Sequence, residues 1–167
     1  MGALTAGDSF PEGVNFLYVK PTPETSDVLA CGMPAPYNAS EAVKDKKVVI
    51  VSVPGAFTPT CQAQHVTGFI GKLQELKSKG VDQVIVIAFN DPFVMAAWGK
   101  ANGIKDDSII FATDNEAAFS KSIGDWTLGP RTARYALIVD NGKVTYAEKE
   151  PGKDVGVSGV DAVLSKL

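Results

Sequence analysis

Cysteine and histidine are scarce in this chain: Cys31, Cys61 and His65 are all it has in 167 residues. Two thiols and one imidazole fall short of the four ligands of a closed zinc site. Nor do two cysteines make a disulfide scaffold at this length, where the opening stretch "MGALTAGDSFPEG" has neither a basic nor an apolar leader segment. They are either thiols with chemistry or plain packing, a role that free cysteine fills well. Long apolar runs are missing too. No segment approaches the roughly 20 uninterrupted apolar residues of a membrane helix, and Ala6 stands where a myristoylation signal wants Ser or Thr. Neither secretion, nor a lipid anchor, nor a membrane span is expected. Basic runs stop at the pair Lys46 and Lys47, and the net charge is -3, which leaves no electrostatic footprint for nucleic acid or an anionic membrane. Small molecules and other proteins remain as partners.

What is present is an ordinary globular composition, 45% hydrophobic and 21% charged, long enough to bury a core unaided. One domain, residues 1–167, is expected. "KKVVIVSV" (46–53) and "VDQVIVIAF" (81–89) are β-branched runs apolar enough for strands covered on both faces. Between them Val66, Phe69, Ile70, Leu73 and Leu76 recur at helical spacing, with Gly80 as a C-cap. A second helix opens at Asp91 and Pro92 and stops near Gly103; "SIIFAT" is a strand, and "NEAAFSKSIG" a short helix ending at Gly124. "ARYALIVDNGKVTYAEKE" predicts a β-hairpin turning on Asn141 and Gly142, and a last helix starts at Ser158 with Asp161 as its capping-box partner. The Pro-rich "KPTPETSDVLACGMPAPYN" is expected to be a loop. A βαβ unit followed by a hairpin and a closing helix gives an α/β, thioredoxin-like fold: a central mixed β-sheet with helices on both faces.

The stretch "VSVPGAFTPTCQAQHV" (51–66) carries the reactive groups. Ligands of α/β sheets bind beyond the C-terminal ends of strands, and Cys61 falls just past one. Pro54 and Pro59 cannot donate to a sheet ladder, so the chain must lift off and deliver Cys61 into the first turn of a helix. Unpaired amides and the helix dipole there favour a thiolate. Thr58 can aim a hydroxyl at whatever the sulfur attacks, or serve as an N-cap. His65, four residues after Cys61, can support the thiolate from the same helical face or stand as a polar residue at the helix rim.

"VPGAFTPTC" also contains the Pro-x-x-x-Thr-x-x-Cys signature of the peroxiredoxins, and the chain resembles the branch holding fungal peroxisomal peroxiredoxins, fungal allergens and yeast-type alkyl hydroperoxide reductases. The likeness extends through "GVDQVIVIAFNDPFVMAAWGKANG", "FSKSIG", "RTARYALIVDNGKVTYAEKE" and "LSKL". It departs at Thr67, where relatives usually carry proline, and in a short stretch between Gly124 and Arg131. The resemblance implies a peroxidase without metal or cofactor that acts on hydrogen peroxide and alkyl hydroperoxides. In it the Cys61 thiolate attacks the terminal peroxide oxygen and becomes a sulfenic acid. Thr58, the Cys61 amide and Arg134 would stabilise the charge moving to the leaving oxygen, while Pro54 shields the sulfur. Arg134 is preferred to Arg131 because "ARY" opens the strand where the family's arginine sits. The resemblance further implies a homodimer in which Cys31 resolves the sulfenic acid as a disulfide with the partner subunit, and thioredoxin, glutaredoxin or glutathione as reductant. The alternative for Cys31 is an inert thiol, with an external thiol acting directly.

Two rival chemistries fit less well. A cysteine hydrolase would need its base on a separate element rather than at His65, and a thioredoxin-type reductase needs Cys-x-x-Cys, whose first position is Thr58. The final "SKL", Ser165 to Leu167, matches the address read by the peroxisomal import receptor. The expected location is the peroxisome, with the cytosol as a second site. These residues can equally finish the last helix.

Overall fold

The computed structural model describes residues 2–167. Its strands are β1 (Asn15–Val19), β2 (Pro34–Asn38), β3 (Lys47–Ser52), β4 (Gln83–Ala88), β5 (Ile109–Thr113), β6 (Thr127–Leu128), β7 (Arg131–Thr132), β8 (Tyr135–Asp140) and β9 (Lys143–Lys149). Its α-helices are α1 (Ala39–Ala42), α2 (Thr67–Gly71), α3 (Leu73–Ser78), α4 (Pro92–Ala101), α5 (Ala118–Ser122) and α6 (Val160–Leu164). Seven strands form one sheet in the order β2-β1-β5-β4-β3-β8-β9, and β6 pairs with β7 apart from it. The sheet is mixed: β3–β4 and β4–β5 are parallel, the other pairs antiparallel. Among the described residues no helix is long and apolar enough to cross a membrane.

Period-2 geometry divides β3 between two cores. Val49 and Val51 join Phe69, Leu76, Met95, Trp98 and Val163 from α2, α3, α4 and α6 on one face. Val48 and Ile50 join Ala39 from α1 and Phe119 from α5 on the other. Because both faces are covered, these strands read as continuous apolar runs, each large side chain contributing about 1.5–3 kcal/mol of burial. Asp91 caps α4, its carboxylate accepting from the Val94 amide, with Pro92 in the first turn. The β8–β9 hairpin turns on Asn141 (φ 51°) and Gly142 (φ 80°), two left-handed residues whose twist matches the flanking strands.

Four local expectations are corrected. The Pro-rich stretch is not all loop: Pro34–Asn38 pairs antiparallel with β1 from Val19↔Pro34 to Asn15↔Asn38. It lies at the edge of the sheet, where proline is tolerated. The helix after β3 is not a regular α-helix: it opens at Pro59, turns π-helical over Cys61–Val66 and breaks at Lys72 (φ −111°, ψ 20°). The helix ending near Gly124 is interrupted by Glu116 and Ala117, both left-handed. The last helix starts at Val160 behind Gly159, with no side-chain cap. Ser158 donates its hydroxyl to Glu150 Oε2 at 2.7 Å instead, and Asp161 pairs with Lys72.

Candidate active site

Two buried bonds set the site's frame. Ser52 Oγ donates to the Ala133 carbonyl (2.8 Å) and Thr132 Oγ1 to the Val53 carbonyl (2.7 Å). They tie the exit of β3 to the segment entering β8, so the Pro54–Cys61 turn and Arg134 face each other. Asn90, at the exit of β4, holds the turn from below: its Oδ1 accepts from the Ala56 amide (2.8 Å) and its carbonyl from Thr113 Oγ1 (2.7 Å). Phe57 is forced to φ 63°, an uncommon conformation for a bulky residue. The residue after Cys61 is pinned as well. Gln62 Oε1 accepts from Trp98 Nε1 (2.5 Å) and Asn102 Nδ2 (3.1 Å), while its Nε2 donates to Asn102 Oδ1 (2.6 Å).

Cys61 is buried, 1% exposed, and its thiol is free. Arg134 Nη2 donates to Cys61 Sγ at 3.3 Å, and Nη1 lies 3.0 Å from His65 Nδ1. A guanidinium can only donate, so His65 Nδ1 accepts, and the imidazole hydrogen sits on Nε2, which meets the Ser158 carbonyl at 2.8 Å. The ring is therefore neutral. Burial is the main cause, and the Arg134 charge adds to it; together they press its pKa from 6.5 to about 4, against the opposing pull of the Ser158 carbonyl and Glu150. His65 is wholly buried, so the expectation of a polar residue at the helix rim fails. Its contact is with the arginine rather than the sulfur.

Behind His65 stands Glu150. Its carboxylate accepts from the amides of Gly156, Val157 and Ser158 and from the Ser158 hydroxyl, at 2.7–3.1 Å, and its own amide donates to the Arg134 carbonyl (2.9 Å). Burial works to raise its pKa, yet the Ser158 hydroxyl and the three amides outweigh it and hold the carboxyl below the ordinary range. A line of contacts thus runs from Glu150 through Ser158, His65 and Arg134 to the sulfur. Sequence reading missed Glu150, Asn90 and Gln62. The only hint for Glu150 is a carboxylate directly before the Pro151–Gly152 turn.

Thr58 Oγ1 donates to the Gly55 carbonyl at 2.7 Å. Its hydroxyl accepts no hydrogen bond from a backbone amide, and the residue lines the cleft. Pro54, Thr58, Cys61 and Arg134 all line one cleft of about 560 Å³, whose wall also includes Arg131. Arg131 is exposed and touches neither Cys61 nor His65. Cys31 lies elsewhere, exposed on the loop before β2, its thiol 3.8 Å from the Leu29 carbonyl. Lys100 Nζ on α4 straps that loop down through the carbonyls of Asp27 (3.1 Å) and Ala30 (2.8 Å). The chain does not bring its two cysteines together.

A buried thiol faced by an arginine, at the end of a strand in this sheet, is the arrangement of a thioredoxin-like thiol peroxidase. A family model described as Redoxin matches residues 5–164. The chain is 54% identical over 166 residues to Peroxiredoxin Pen c 3 of Penicillium citrinum, covering 99% of each. It is 53% identical over 165 residues to a Lipomyces kononenkoae protein provisionally named a peroxisomal peroxiredoxin, covering 96% of this chain and 99% of that one. Reduced Prx3 of Vibrio vulnificus, solved in complex with hydrogen peroxide, superposes with a TM-score of 0.83 at 33% identity, over 97% of this chain and 98% of that one. The chain belongs to the peroxiredoxin family, in the branch of these fungal relatives. It is a thiol-dependent hydroperoxide reductase with a thioredoxin-like peroxiredoxin fold.

Proposed function

We propose that Cys61 is the nucleophile, with Arg134, Thr58 and Pro54 as its immediate partners. The observation that carries this reading is the Arg134 Nη2 contact to Cys61 Sγ at 3.3 Å. Among the described residues Arg134 makes no ion pair, and its other side-chain partner, His65, is neutral. Its positive charge is therefore available to negative charge on the sulfur and then on the peroxide.

In the reaction the Cys61 thiolate attacks the terminal oxygen of a hydroperoxide. An S–O bond forms as the O–O bond breaks; the sulfur is oxidised to sulfenic acid, and the alkoxide or hydroxide that leaves takes a proton to become alcohol or water. Arg134 follows the charge from sulfur to leaving oxygen. Thr58, whose proton is committed to Gly55, accepts a hydrogen bond from the peroxide O–H and aligns it. Cys31 then attacks the sulfenic sulfur, releasing water and forming a disulfide. Its exposed position and separation from the cleft support resolution between subunits of a homodimer. A thioredoxin-type protein, glutaredoxin or glutathione returns both thiols. The unit that does this is the whole chain, 1–167, because both cores share one sheet.

Intact mass after one equivalent of peroxide tests the assignment. Wild type should form a disulfide-linked dimer on non-reducing gels, Cys31→Ser should stop at a monomer gaining one oxygen, and Cys61→Ser should not react. Substantial turnover by Cys61→Ser would remove the nucleophile, and an intramolecular disulfide would refute resolution between subunits while leaving Cys31 as the resolver.

The proposed location is the peroxisome, with the cytosol second, supported by the name of the Lipomyces relative and by Ser165–Leu167. Leu167 packs partly against the core, so an import receptor must first free it. An N-terminal fluorescent fusion with and without these three residues is the test; diffuse signal from both would leave them a helix end.

A further inference from the structure

We propose that Glu150 is a positioning residue for the peroxidase reaction: through Ser158 and His65 it fixes the direction of the Arg134 guanidinium without neutralising its charge. This rests on the reading of Cys61 as the nucleophile. Glu150 follows directly on β9 and lies across from Arg134, to whose carbonyl its amide donates at 2.9 Å. A carboxylate in that place would ordinarily swing onto the guanidinium as an ion pair. Among the described residues the two form none. The side chain is buried and turned to residues 156–158 instead. There Oε1 accepts from the amides of Gly156 and Val157, both at 3.1 Å, and Oε2 from the amides of Val157 (3.0 Å) and Ser158 (2.9 Å) and from the Ser158 hydroxyl (2.7 Å). Only an ionised carboxylate has acceptor sites for so many donors; a glutamine would turn an NH₂ toward amides that also donate.

The segment so held is fixed at its carbonyls as well. That of Val157 accepts from Tyr146 Oη at 2.6 Å, and that of Ser158 meets His65 Nε2 at 2.8 Å. The second bond keeps the imidazole hydrogen on Nε2 and leaves Nδ1 bare for Arg134 Nη1 at 3.0 Å. With Nη1 anchored, the planar fork sends Nη2 to Cys61 Sγ at 3.3 Å. Because the imidazole between them is neutral, direction passes from Glu150 to Arg134 while the negative charge stays among the 156–158 donors. Arg134 keeps its positive charge for the thiolate and the leaving oxygen. A direct ion pair would orient the guanidinium equally well and cancel much of that field.

Oxidation of Cys61 by hydrogen peroxide is timed in a Cys31→Ser background, which leaves a single thiol, by competition with a haem peroxidase. Glu150→Gln should slow it about tenfold, while Val48→Ala, a truncation in the opposite core, should leave it within about twofold of wild type. In an Arg134→Ala background Glu150→Gln should cost less than about twofold, because the group it directs is gone. The chain's one histidine gives a second readout. In spectra of nitrogen-labelled protein, wild type should show one bare and one protonated ring nitrogen, and Glu150→Gln should draw the two resonances together as the imidazole exchanges tautomers. If Glu150→Gln does not fold, Ser158→Ala, which takes one donor from the carboxylate, is read in its place with an expected loss of about two- to threefold. An unchanged rate or an unchanged histidine spectrum would overturn the proposal, as would a loss that persists undiminished without Arg134 or that Val48→Ala reproduces. Continued peroxide consumption by Cys61→Ser would instead bring down the reading of the nucleophile, and the histidine spectra would still report whether Glu150 holds the ring.

Discussion

His65→Gln should uncouple this protein's stability from the acid side of neutrality. In the folded chain the imidazole takes a proton only below about pH 4, whereas in the unfolded chain it does so below 6.5. Between those values unfolding binds a proton, so folded stability falls as the pH drops through that window and is complete above it. The full difference corresponds to about 3 kcal/mol, of which about 2 kcal/mol is gone by about pH 5. Glutamine offers an amide oxygen to Arg134 and an N–H to the Ser158 carbonyl, keeping both contacts while removing the titration. The chain has no other histidine, so the comparison isolates this one. Urea unfolding of reduced protein at about pH 7.5 and about pH 5 provides the assay. Wild type should lose about 2 kcal/mol more than His65→Gln on acidification. Equal losses would mean that the imidazole is not held neutral, and the reasoning that fixes its tautomer would go with it.

Arg134→Ala should slow Cys61 oxidation by about 2 to 4 kcal/mol of activation free energy, as for one lost oxyanion donor. Arg131→Ala should leave the hydrogen peroxide rate near that of wild type, and the reverse pattern in stopped-flow would exchange their roles. Glu150→Gln should cost about 1–3 kcal/mol in denaturation near neutral pH, because one amide oxygen cannot serve the donors that two carboxylate oxygens do. A carboxyl held below its ordinary range stabilises above that range and loses its effect as the pH falls through it. The variant and wild type should therefore converge in acid, and a constant gap would show that charge is not the cause.

The central strands, α4 and the β8–β9 hairpin were legible because each rests on local signals that burial reinforces: β-branched runs, Asp91–Pro92, Asn141–Gly142. β1 and β2 were not. "NFLYV" is only five residues long, and Pro34 and Pro36 argue against a strand until its edge position is known. The site divides in the same way. The Pro-x-x-x-Thr-x-x-Cys spacing is local, and Arg134 could be picked because it opens a strong strand. His65 looked like a rim residue because the loop that covers it arrives 93 residues later, at Ser158. Glu150 hid in "AEKEPGKD", where charge at a hairpin's end ordinarily faces water. Long-range partners of this kind leave no periodicity to read.

The two prolines of β2 have a further consequence, for how copies of this protein meet. Since neither can donate, β2's hydrogen bonds to β1 must come from Ala35 and Tyr37, and the outward positions at residues 34 and 36 carry no N–H at all. A strand from another molecule laid against this margin would find acceptors without the alternating donors that lock a ladder. The opposite margin, β9, is guarded differently, by Lys143, Glu148 and Lys149. Neither end of the sheet invites another strand, which protects the chain from joining edge to edge into fibrils.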